Sequence, residues 1–208
     1  MIIKSKLCIL FLSQNFLTMR LFISLNPGAN TLKKIAYVKD QLSDRIDILN
    51  THFKHHIKWE QYSKFHMTLL FIGETDENRV NDIDKLLEKN VSNFLSSELH
   101  FQFKEYNAFP NMKYPRVLFL ELTNQDGKVF SLSEKIETAM IEFGIKSDKK
   151  FYPHITLGRV KRDKKINLKN LDTSLNDFHS FTVSEFCLMK SVLTKFGSEY
   201  EILKRYAL

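Results

Sequence analysis

The sequence predicts an α+β protein whose sheets are largely antiparallel. Seven segments have the composition or two-residue alternation of β-strands, whereas only three have the spacing of helices. Several of these strands follow one another directly, which favours antiparallel pairing over repeated strand–helix–strand crossovers. No stretch rich in Gly, Ser or Pro divides the chain into separate domains.

The three predicted helices show apolar residues at intervals of three and four. The first covers about residues 32–49, with Leu32 and Leu49 at the ends of its apolar face. The second covers about residues 77–94. The third covers 129–143 and ends at Gly144, a residue typical of helix ends. Each has one apolar face, so each is expected to pack against a sheet.

The predicted strands are short apolar or alternating runs rich in β-branched and aromatic residues. They cover residues 20–25, 65–72, 99–103, 116–122, 152–160, 178–189 and 199–206. The first is followed by the turn signal Asn26-Pro27-Gly28, and the second ends at Gly73. The polar segment 161–177 is predicted to be a loop.

Composition indicates a folded protein with a basic surface. The 208 residues are 43% hydrophobic and 26% charged, close to globular averages, and carry a formal net charge of +7. No apolar run reaches the length of a membrane-spanning helix. The charge suits a phosphate-bearing partner, although a general bias towards Lys, Asn and Ile explains it equally well. Cys8 and Cys187 give no disulfide framework, which fits a reducing, cytoplasmic setting.

The first eighteen residues are treated separately from the fold. Lys4 and Lys6 precede a six-residue apolar run that resembles a weak signal peptide, but no small-residue cleavage site follows. We expect instead that Met19 is the functional start, or that residues 1–18 are a loosely attached extension. Residues 19–208 are expected to form a single two-lobed domain.

One motif occurs twice in the chain, 88 residues apart. His66-Met67-Thr68-Leu69 and His154-Ile155-Thr156-Leu157 each place His-x-Thr-Leu in a predicted strand. Side chains at positions i and i+2 of a strand point to the same face, so each His shares a face with its Thr. A single such match has little meaning, because Thr favours strands, but two matches in similar surroundings point to a site.

Two histidines and two hydroxyls suit displacement at phosphorus. Imidazole titrates near neutral pH, so one His can accept a proton from the attacking water while the other donates a proton to the leaving oxygen. The Thr hydroxyls can hydrogen-bond to the phosphoryl oxygens. A strained 2′,3′-cyclic phosphate with an alkoxide leaving group needs no metal for this chemistry. The two motifs are nearly identical, so the residues alone leave open which His plays which part.

With these motifs in place, the chain resembles the RNA 2′,3′-cyclic phosphodiesterases, the LigT-like branch of the two-histidine phosphoesterases, also called 2′-5′ RNA ligases. The resemblance extends from Met19 to Leu208. Besides the two motifs, it rests on Arg20-Leu21-Phe22-Ile23-Ser24-Leu25, Trp59, Ala108-Phe109-Pro110, Pro115-Arg116-Val117-Leu118-Phe119, Tyr152-Pro153, Gly158-Arg159, Phe181-Thr182-Val183-Ser184-Glu185-Phe186 and Tyr200-Glu201-Ile202-Leu203. The extension 1–18 departs from the family pattern.

The resemblance implies two pseudo-symmetric lobes of antiparallel sheet, with outer helices and one motif each beside a central cleft. It implies His66 as proton donor, His154 as proton acceptor and a 2′-phosphate product. It also implies phosphate binding by Thr68, Thr156 and Arg159. Arg159 lies an odd number of residues after His154, so a regular strand would turn it away, unless Gly158 introduces a bulge.

The partner expected is an RNA or nucleotide 2′,3′-cyclic phosphate end, with no cofactor, metal, membrane or obligate protein partner. Two alternatives stay open: ATP-independent 2′-5′ ligation at the same site, and a non-catalytic RNA- or nucleotide-binding module. Two further sets of residues have both a structural and a functional interpretation. The histidines in 51–56 form either a loop or a metal site. The basic run 161–165 is either a solvated loop or a contact with RNA. The rings of Phe109, Phe151 and Tyr152 are either core residues or a stacking surface for a base.

Overall fold

A computed structural model describes residues 18–177, 179–195 and 197–208. The expected extension therefore lies outside the described residues, apart from Thr18, which is the first residue of the first strand. That strand begins one residue before Met19, and Thr18 pairs with Asp76.

Nine strands and three α-helices make up the described part of the chain. Their bounds, in chain order, are β1 Thr18–Leu25, α1 Ala29–Leu49, β2 Ile57–Trp59, β3 Met67–Asp76, α2 Glu77–Asn90, β4 Leu99–Phe109, β5 Val117–Thr123, α3 Lys128–Met140, β6 His154–Val160, β7 Ser180–Val183, β8 Glu185–Thr194 and β9 Gly197–Ala207. Short 3₁₀ turns flank β2 and follow α3.

The strands form two sheets in which every pairing is antiparallel. The four-stranded sheet has the order β3-β1-β8-β9, and the five-stranded sheet has the order β2-β6-β5-β4-β7. The α+β prediction with antiparallel sheets is confirmed. The chain passes between the sheets several times, so each lobe is assembled from distant parts of the sequence.

The helices cover one face of each sheet and leave the other face open. Tyr106 of β4 donates a hydrogen bond from its hydroxyl to the Val38 carbonyl, which fixes α1 against the five-stranded sheet. Tyr206 of β9 donates to Asp84 of α2, which joins α2 to the four-stranded sheet. One continuous hydrophobic core runs through both sheets and all three helices. Burial of this apolar surface is the main favourable contribution to folding.

The prediction of one strand over 178–189 was wrong. The chain leaves the five-stranded sheet after β7 and enters the four-stranded sheet as β8, with Ser184 between them. The cause lies in the spacing of the buried residues, since Val183 and Phe186 are both buried and are three positions apart. A single flat strand cannot bury both on one face, because its side chains alternate.

The remaining differences concern short or irregular segments. β2 was not predicted, because three residues are too few to show alternation. β4 continues to Phe109, six residues beyond the predicted end, through an irregular pairing between Phe103 and Tyr106. Within the ranges that the structure describes, no helix is both long and apolar enough to cross a membrane.

Candidate active site

The two His-x-Thr motifs lie at the boundary between the sheets. His66 directly precedes β3, at one edge of the four-stranded sheet, and His154 is the first residue of β6 in the five-stranded sheet. β3 and β6 approach within 8 Å between Cα atoms. The motifs, 88 residues apart in sequence, are thus brought close together in the fold.

The His66 ring is held from two sides. Its Nδ1 lies 2.7 Å from the carbonyl oxygen of Lys64. A carbonyl only accepts hydrogen bonds, so Nδ1 carries the hydrogen and Nε2 is left for chemistry. The ring also packs against Phe22 at 5.1 Å and Tyr200 at 5.0 Å between centroids. Both contacts fix the imidazole plane.

His154 has the same arrangement in the other lobe. Its Nδ1 lies 2.7 Å from the carbonyl oxygen of Tyr152, which again stands two residues earlier. Phe109 and Phe119 enclose the ring, with centroids 5.2 and 5.0 Å away. Both histidines therefore have the same protonated nitrogen and the same free nitrogen. This backbone contact was not predicted, because the sequence gives no signal for it.

Burial lowers the pKa of both histidines. The pKa of His66 falls to about 4, because burial outweighs the hydrogen bond from Nδ1 to Lys64, and the positive charges of Arg159 and His154 lower it further. The pKa of His154 is lowered by burial and by Arg159, against the hydrogen bond to Tyr152. The neutral form of both imidazoles is thus favoured in the ligand-free protein. Arg159 lowers the pKa of both histidines and His154 lowers that of His66, so the three side chains are close enough to interact electrostatically.

A β-bulge follows the threonine in each motif. Ser24 pairs with Thr68 while Ile23 pairs with Leu70, so Leu69 is an extra residue in β3. In β6 Leu157 is the extra residue, between the pairs of Thr156 and Gly158 with β5. A bulge changes the direction of the side chains that follow it. The fifth residue after each histidine can therefore point to the same face as that histidine.

Arg159 consequently shares the open face with His154 and Thr156. Its side chain is 53% exposed, and its Nε lies 3.6 Å from a carboxylate oxygen of Glu60. The bulge is at Leu157, one residue before the position expected. Gly158 has a different role: a Cβ there would lie 2.8 Å from Cγ2 of Ile57, so glycine allows β2 to approach.

Comparison with known proteins places this geometry in a family. The family model described as the 2′-5′ RNA ligase superfamily matches residues 39–194. The chain belongs to this superfamily. Two relatives, both named RNA 2′,3′-cyclic phosphodiesterase, cover nearly the whole chain. The protein from Methanocaldococcus jannaschii is 28% identical over 90% of this chain and 100% of its own length. The protein from Thermotoga maritima is 29% identical over 89% and 93%.

Solved structures confirm the two-lobed LigT-like fold. The crystal structure of TT0787 from Thermus thermophilus has a TM-score of 0.74 and 24% identity, over 91% of this chain and 98% of its own. Escherichia coli LigT complexed with 3′-AMP has a TM-score of 0.70 and 20% identity, over 92% and 99%.

A buried carboxylate beside the second motif was missed by the sequence analysis. Glu121 of β5 pairs across the sheet with His154 and is only 6% exposed. It accepts hydrogen bonds from Lys104 at 2.5 Å and from Asn107 at 3.0 Å. Burial raises its pKa, but hydrogen bonds from Lys104, Tyr152 and Asn107 outweigh burial and hold the pKa below its usual value. Glu121 thereby holds the Tyr152 side chain in place. The backbone carbonyl of the same tyrosine orients His154.

Other candidates lie outside this arrangement or take structural parts. His55 and His56 lie in a 3₁₀ turn, and the described residues contain no group of three or more potential metal ligands. Cys187 is buried, and burial raises the pKa of its thiol to about 11. Of the aromatic candidates for base stacking, Phe109 contacts the His154 ring, while Phe151 packs against Phe130.

Proposed function

We propose that this superfamily member hydrolyses 2′,3′-cyclic phosphodiester ends of RNA to 2′-phosphomonoesters. The observation that carries the proposal is the matched pair of histidines. Each has Nδ1 bound to the carbonyl two residues earlier, which leaves Nε2 of each ring available for proton transfer. The relatives named RNA 2′,3′-cyclic phosphodiesterase, which cover nearly the whole chain, support it.

The reaction needs two proton transfers on opposite sides of phosphorus. We assign His154 as the acceptor: its neutral Nε2 takes a proton from water while the water oxygen bonds to phosphorus. We assign His66 as the donor: in its imidazolium form, which the bound phosphodiester anion favours, Nε2–H gives a proton to O3′ as the P–O3′ bond breaks. The product carries phosphate on O2′. His154 has gained one proton and His66 has lost one, so the number of protons is unchanged. Because imidazole supplies both transfers, no metal or cofactor is required.

The other site residues are assigned to phosphate binding. Thr68 and Thr156 are partly exposed on the open faces beside their histidines and donate hydrogen bonds to non-bridging oxygens. Arg159 offers a guanidinium fork that suits a phosphate, and its charge stabilises the extra negative charge of the transition state. Since each lobe contributes one motif, residues 19–208 act as a single catalytic domain. We place the enzyme in the cytoplasm, where a free thiol such as that of Cys187 stays reduced.

The proposal is tested with a short RNA that ends in a 2′,3′-cyclic phosphate, incubated with purified protein in the presence of EDTA. The expected product is the RNA with a terminal 2′-phosphate. No turnover, a 3′-phosphate product, or activity that EDTA abolishes and Mn²⁺ or Zn²⁺ restores would overturn it. Adding an RNA with a free 5′-hydroxyl tests the ligase alternative, because ligation joins the two RNAs through a 2′-5′ linkage.

A further inference from the structure

Basic side chains are concentrated at one end of the five-stranded sheet. We call this set the basic rim; it consists of Lys58, Lys113, Lys161, Arg162, Lys164 and Lys165. The carboxylates among them are Glu60, which faces Arg159, and Asp163, which pairs with Lys164 at 3.0 Å. Positive charge therefore predominates at this end of the sheet.

Strand pairing brings the rim together. Val117, at the start of β5, pairs with Phe109 at the end of β4 and with Arg159 near the end of β6. The loops 110–116 and 161–165 therefore leave the sheet at the same end. The segment that follows loop 161–165 is joined to loop 110–116 by a backbone hydrogen bond of 2.8 Å, which Leu168 N–H donates to the Met112 carbonyl.

Arg116 organises the loop that carries four of the rim residues. Its Nη1 lies 3.4, 3.5 and 3.1 Å from the carbonyl oxygens of Lys161, Arg162 and Lys164. The guanidinium thus binds the loop backbone, while the side chains of Lys161, Arg162 and Lys165 are exposed. A loop held by its backbone presents its charges in a defined place, at a lower entropic cost of binding.

The rim is continuous with the catalytic cleft. Lys58 pairs across β2 and β6 with Arg159, so both side chains are on the same face. Lys161 follows Arg159 by two residues, roughly 7 Å along an extended chain. A polynucleotide whose terminal phosphate lies at Arg159 therefore meets the rim with its next phosphates.

We propose that the basic rim binds the RNA backbone upstream of the cyclic phosphate, so that the enzyme prefers RNA chains of several nucleotides to cyclic mononucleotides. This rests on the proposed function, because the cyclic end is what sets the position of the chain. Lysine and arginine bind phosphates without reading sequence, so the preference depends on length and on salt and not on base order.

The test compares a hexanucleotide ending in a 2′,3′-cyclic phosphate with a cyclic mononucleotide. The variant replaces four rim residues together: Lys161→Gln, Arg162→Gln, Lys164→Gln and Lys165→Gln. At low salt, kcat/KM for the hexanucleotide is expected to fall about tenfold or more, whereas kcat/KM for the mononucleotide stays unchanged. The dependence of log kcat/KM on log salt should weaken by about 0.7 for each RNA phosphate that the variant no longer binds.

Two further variants distinguish RNA binding by the rim from a general effect of removing surface charge. Arg116→Met loosens the same loop while leaving all six rim side chains in place, and should lower kcat/KM for the hexanucleotide alone. The double variant Lys85→Gln and Lys89→Gln removes two exposed charges from α2, which packs against the four-stranded sheet, and should leave both substrates unaffected. Equal losses for both substrates, no loss with either rim variant, or an equal loss in the α2 control would overturn the proposal.

A binding measurement keeps this inference separate from the proposed function. The fluorescence anisotropy of a labelled hexanucleotide with a 2′-phosphate end reports RNA binding without turnover. If wild type hydrolyses neither substrate, the proposed function fails, and the anisotropy alone decides whether the rim binds RNA. Weaker RNA binding by the rim variant supports the proposal that the basic rim binds the RNA backbone, and equal binding by wild type and variant overturns it. Wild-type protein that hydrolyses both substrates equally well leaves the function intact and overturns the rim.

Discussion

Phe71 and Arg159 occupy equivalent positions in the two lobes. Each stands five residues after its catalytic-motif histidine, and each follows a bulge at the leucine after the threonine. In both strands the bulge leaves two consecutive buried residues and then turns the next side chain outwards. One lobe thus presents an aromatic ring, 69% exposed, where the other presents a guanidinium. The site is symmetric in its acid–base groups and asymmetric in its binding groups.

This asymmetry predicts different kinetic effects at the two positions. Arg159→Met removes a charged hydrogen-bonding partner of the phosphate, worth about 1.5–3 kcal/mol, so kcat/KM should fall by about 10- to 150-fold. Arg159→Lys keeps the charge but loses the planar fork and should recover part of the activity. Phe71→Ala should mainly raise KM, because an exposed ring near His66 offers stacking of about 1–3 kcal/mol to a base.

The control for Phe71 is Tyr37→Ala, which removes a similarly exposed ring from α1, outside the cleft. Steady-state kinetics on one oligonucleotide substrate measure all four variants. If Phe71→Ala and Tyr37→Ala have equal effects, the ring has no part in substrate binding. If Arg159→Lys is as active as wild type, the fork geometry does not matter.

The histidine roles predict opposite responses to the leaving group. His66→Ala and His154→Ala should each lower kcat by roughly 10²–10⁴, the usual range for one general acid or base. An activated aryl phosphodiester has a leaving group that needs little protonation. With that substrate, His66→Ala should regain most of the lost rate, whereas His154→Ala should not, because the water still needs a base.

Thr68→Ala and Thr156→Ala should lower the rate less than the histidine variants do. Each removes one hydrogen bond to a charged group, which is worth about 1.5–3 kcal/mol of transition-state stabilisation. His100→Ala is the matched control, since this histidine is exposed on β4, outside the two motifs. Equal recovery of both catalytic variants, or of neither, would remove the assignment of His66 as donor. Wild-type turnover in either single variant would remove the mechanism.

The pKa shifts predict where the pH–rate profiles lie. The donor must be protonated and the acceptor neutral, so the rate falls above the donor's pKa and below the acceptor's. Burial lowers both pKa values in the free enzyme, that of His66 to about 4 and that of His154 in the same direction. A bound phosphodiester is an anion, which favours the imidazolium form and raises both values.

Since kcat/KM reports the free enzyme and kcat reports the bound complex, both limbs of the kcat profile should lie at higher pH than those of kcat/KM. Arg159→Met removes a positive charge that lowers the pKa of each histidine, so it should move the kcat/KM profile to higher pH. Two superimposable profiles, or a shift of the Arg159→Met profile to lower pH, would contradict this reasoning.

The sequence predicted the parts of this site that depend on local pattern. His66, Thr68, His154 and Thr156 were predicted because strand alternation would put each pair on one face, and in the structure β3 and β6 lie close together, with His66 one residue before β3. Arg159 needed the resemblance, since parity argued against it and a bulge has no clear sequence signal. The assignment of roles to the two histidines remains a prediction.

The parts that were missed depend on contacts between distant residues. Glu121 is an acidic residue in a predicted strand, and only pairing of β5 with β4 and β6 reveals its partners Lys104 and Tyr152. The break at Ser184 was missed because 178–189 has strand composition throughout, and a change of sheet depends on which neighbours are available.

Gly158 is predicted to be required for packing of the edge strand. An added Cβ would lie 2.8 Å from Cγ2 of Ile57 and 3.0 Å from Cε3 of Trp59, so β2 must shift. Gly158→Ala should therefore lower the free energy of unfolding by about 1–3 kcal/mol, as overpacking typically does. Because Arg159 is the next residue, kcat/KM should also fall.

Gly28→Ala is the control, because nothing lies within 4 Å of the added carbon and its φ of −67° suits any residue. Because Gly28 is the N-cap residue of α1, where alanine is less favourable than glycine, this variant should lower the free energy of unfolding by at most about 1 kcal/mol. Denaturation with urea measures both variants. A stability of Gly158→Ala equal to that of Gly28→Ala would show that β2 accommodates the methyl group.

The Glu121 network predicts a pH-dependent contribution to stability. The pKa of Glu121 is held below its ordinary value of 4.5, so the carboxylate favours the folded state. For a group with a lowered pKa, this contribution is complete above the unfolded value and is lost as pH falls through the folded value. Glu121→Gln should therefore lower the free energy of unfolding by about 1–3 kcal/mol at neutral pH.

The difference between Glu121→Gln and wild type should shrink as pH falls below 4.5, because the wild-type carboxylate then becomes protonated. Urea denaturation across that range measures it. Asp163→Asn provides the control: Asp163 is exposed and its ion pair with Lys164 is screened by solvent, so it should contribute little at any pH. A constant difference for Glu121→Gln across the range would mean that its charge does not stabilise the fold. A loss of activity at neutral pH that exceeds the loss of folded protein is also expected, because Tyr152, which Glu121 holds, orients His154 through its carbonyl.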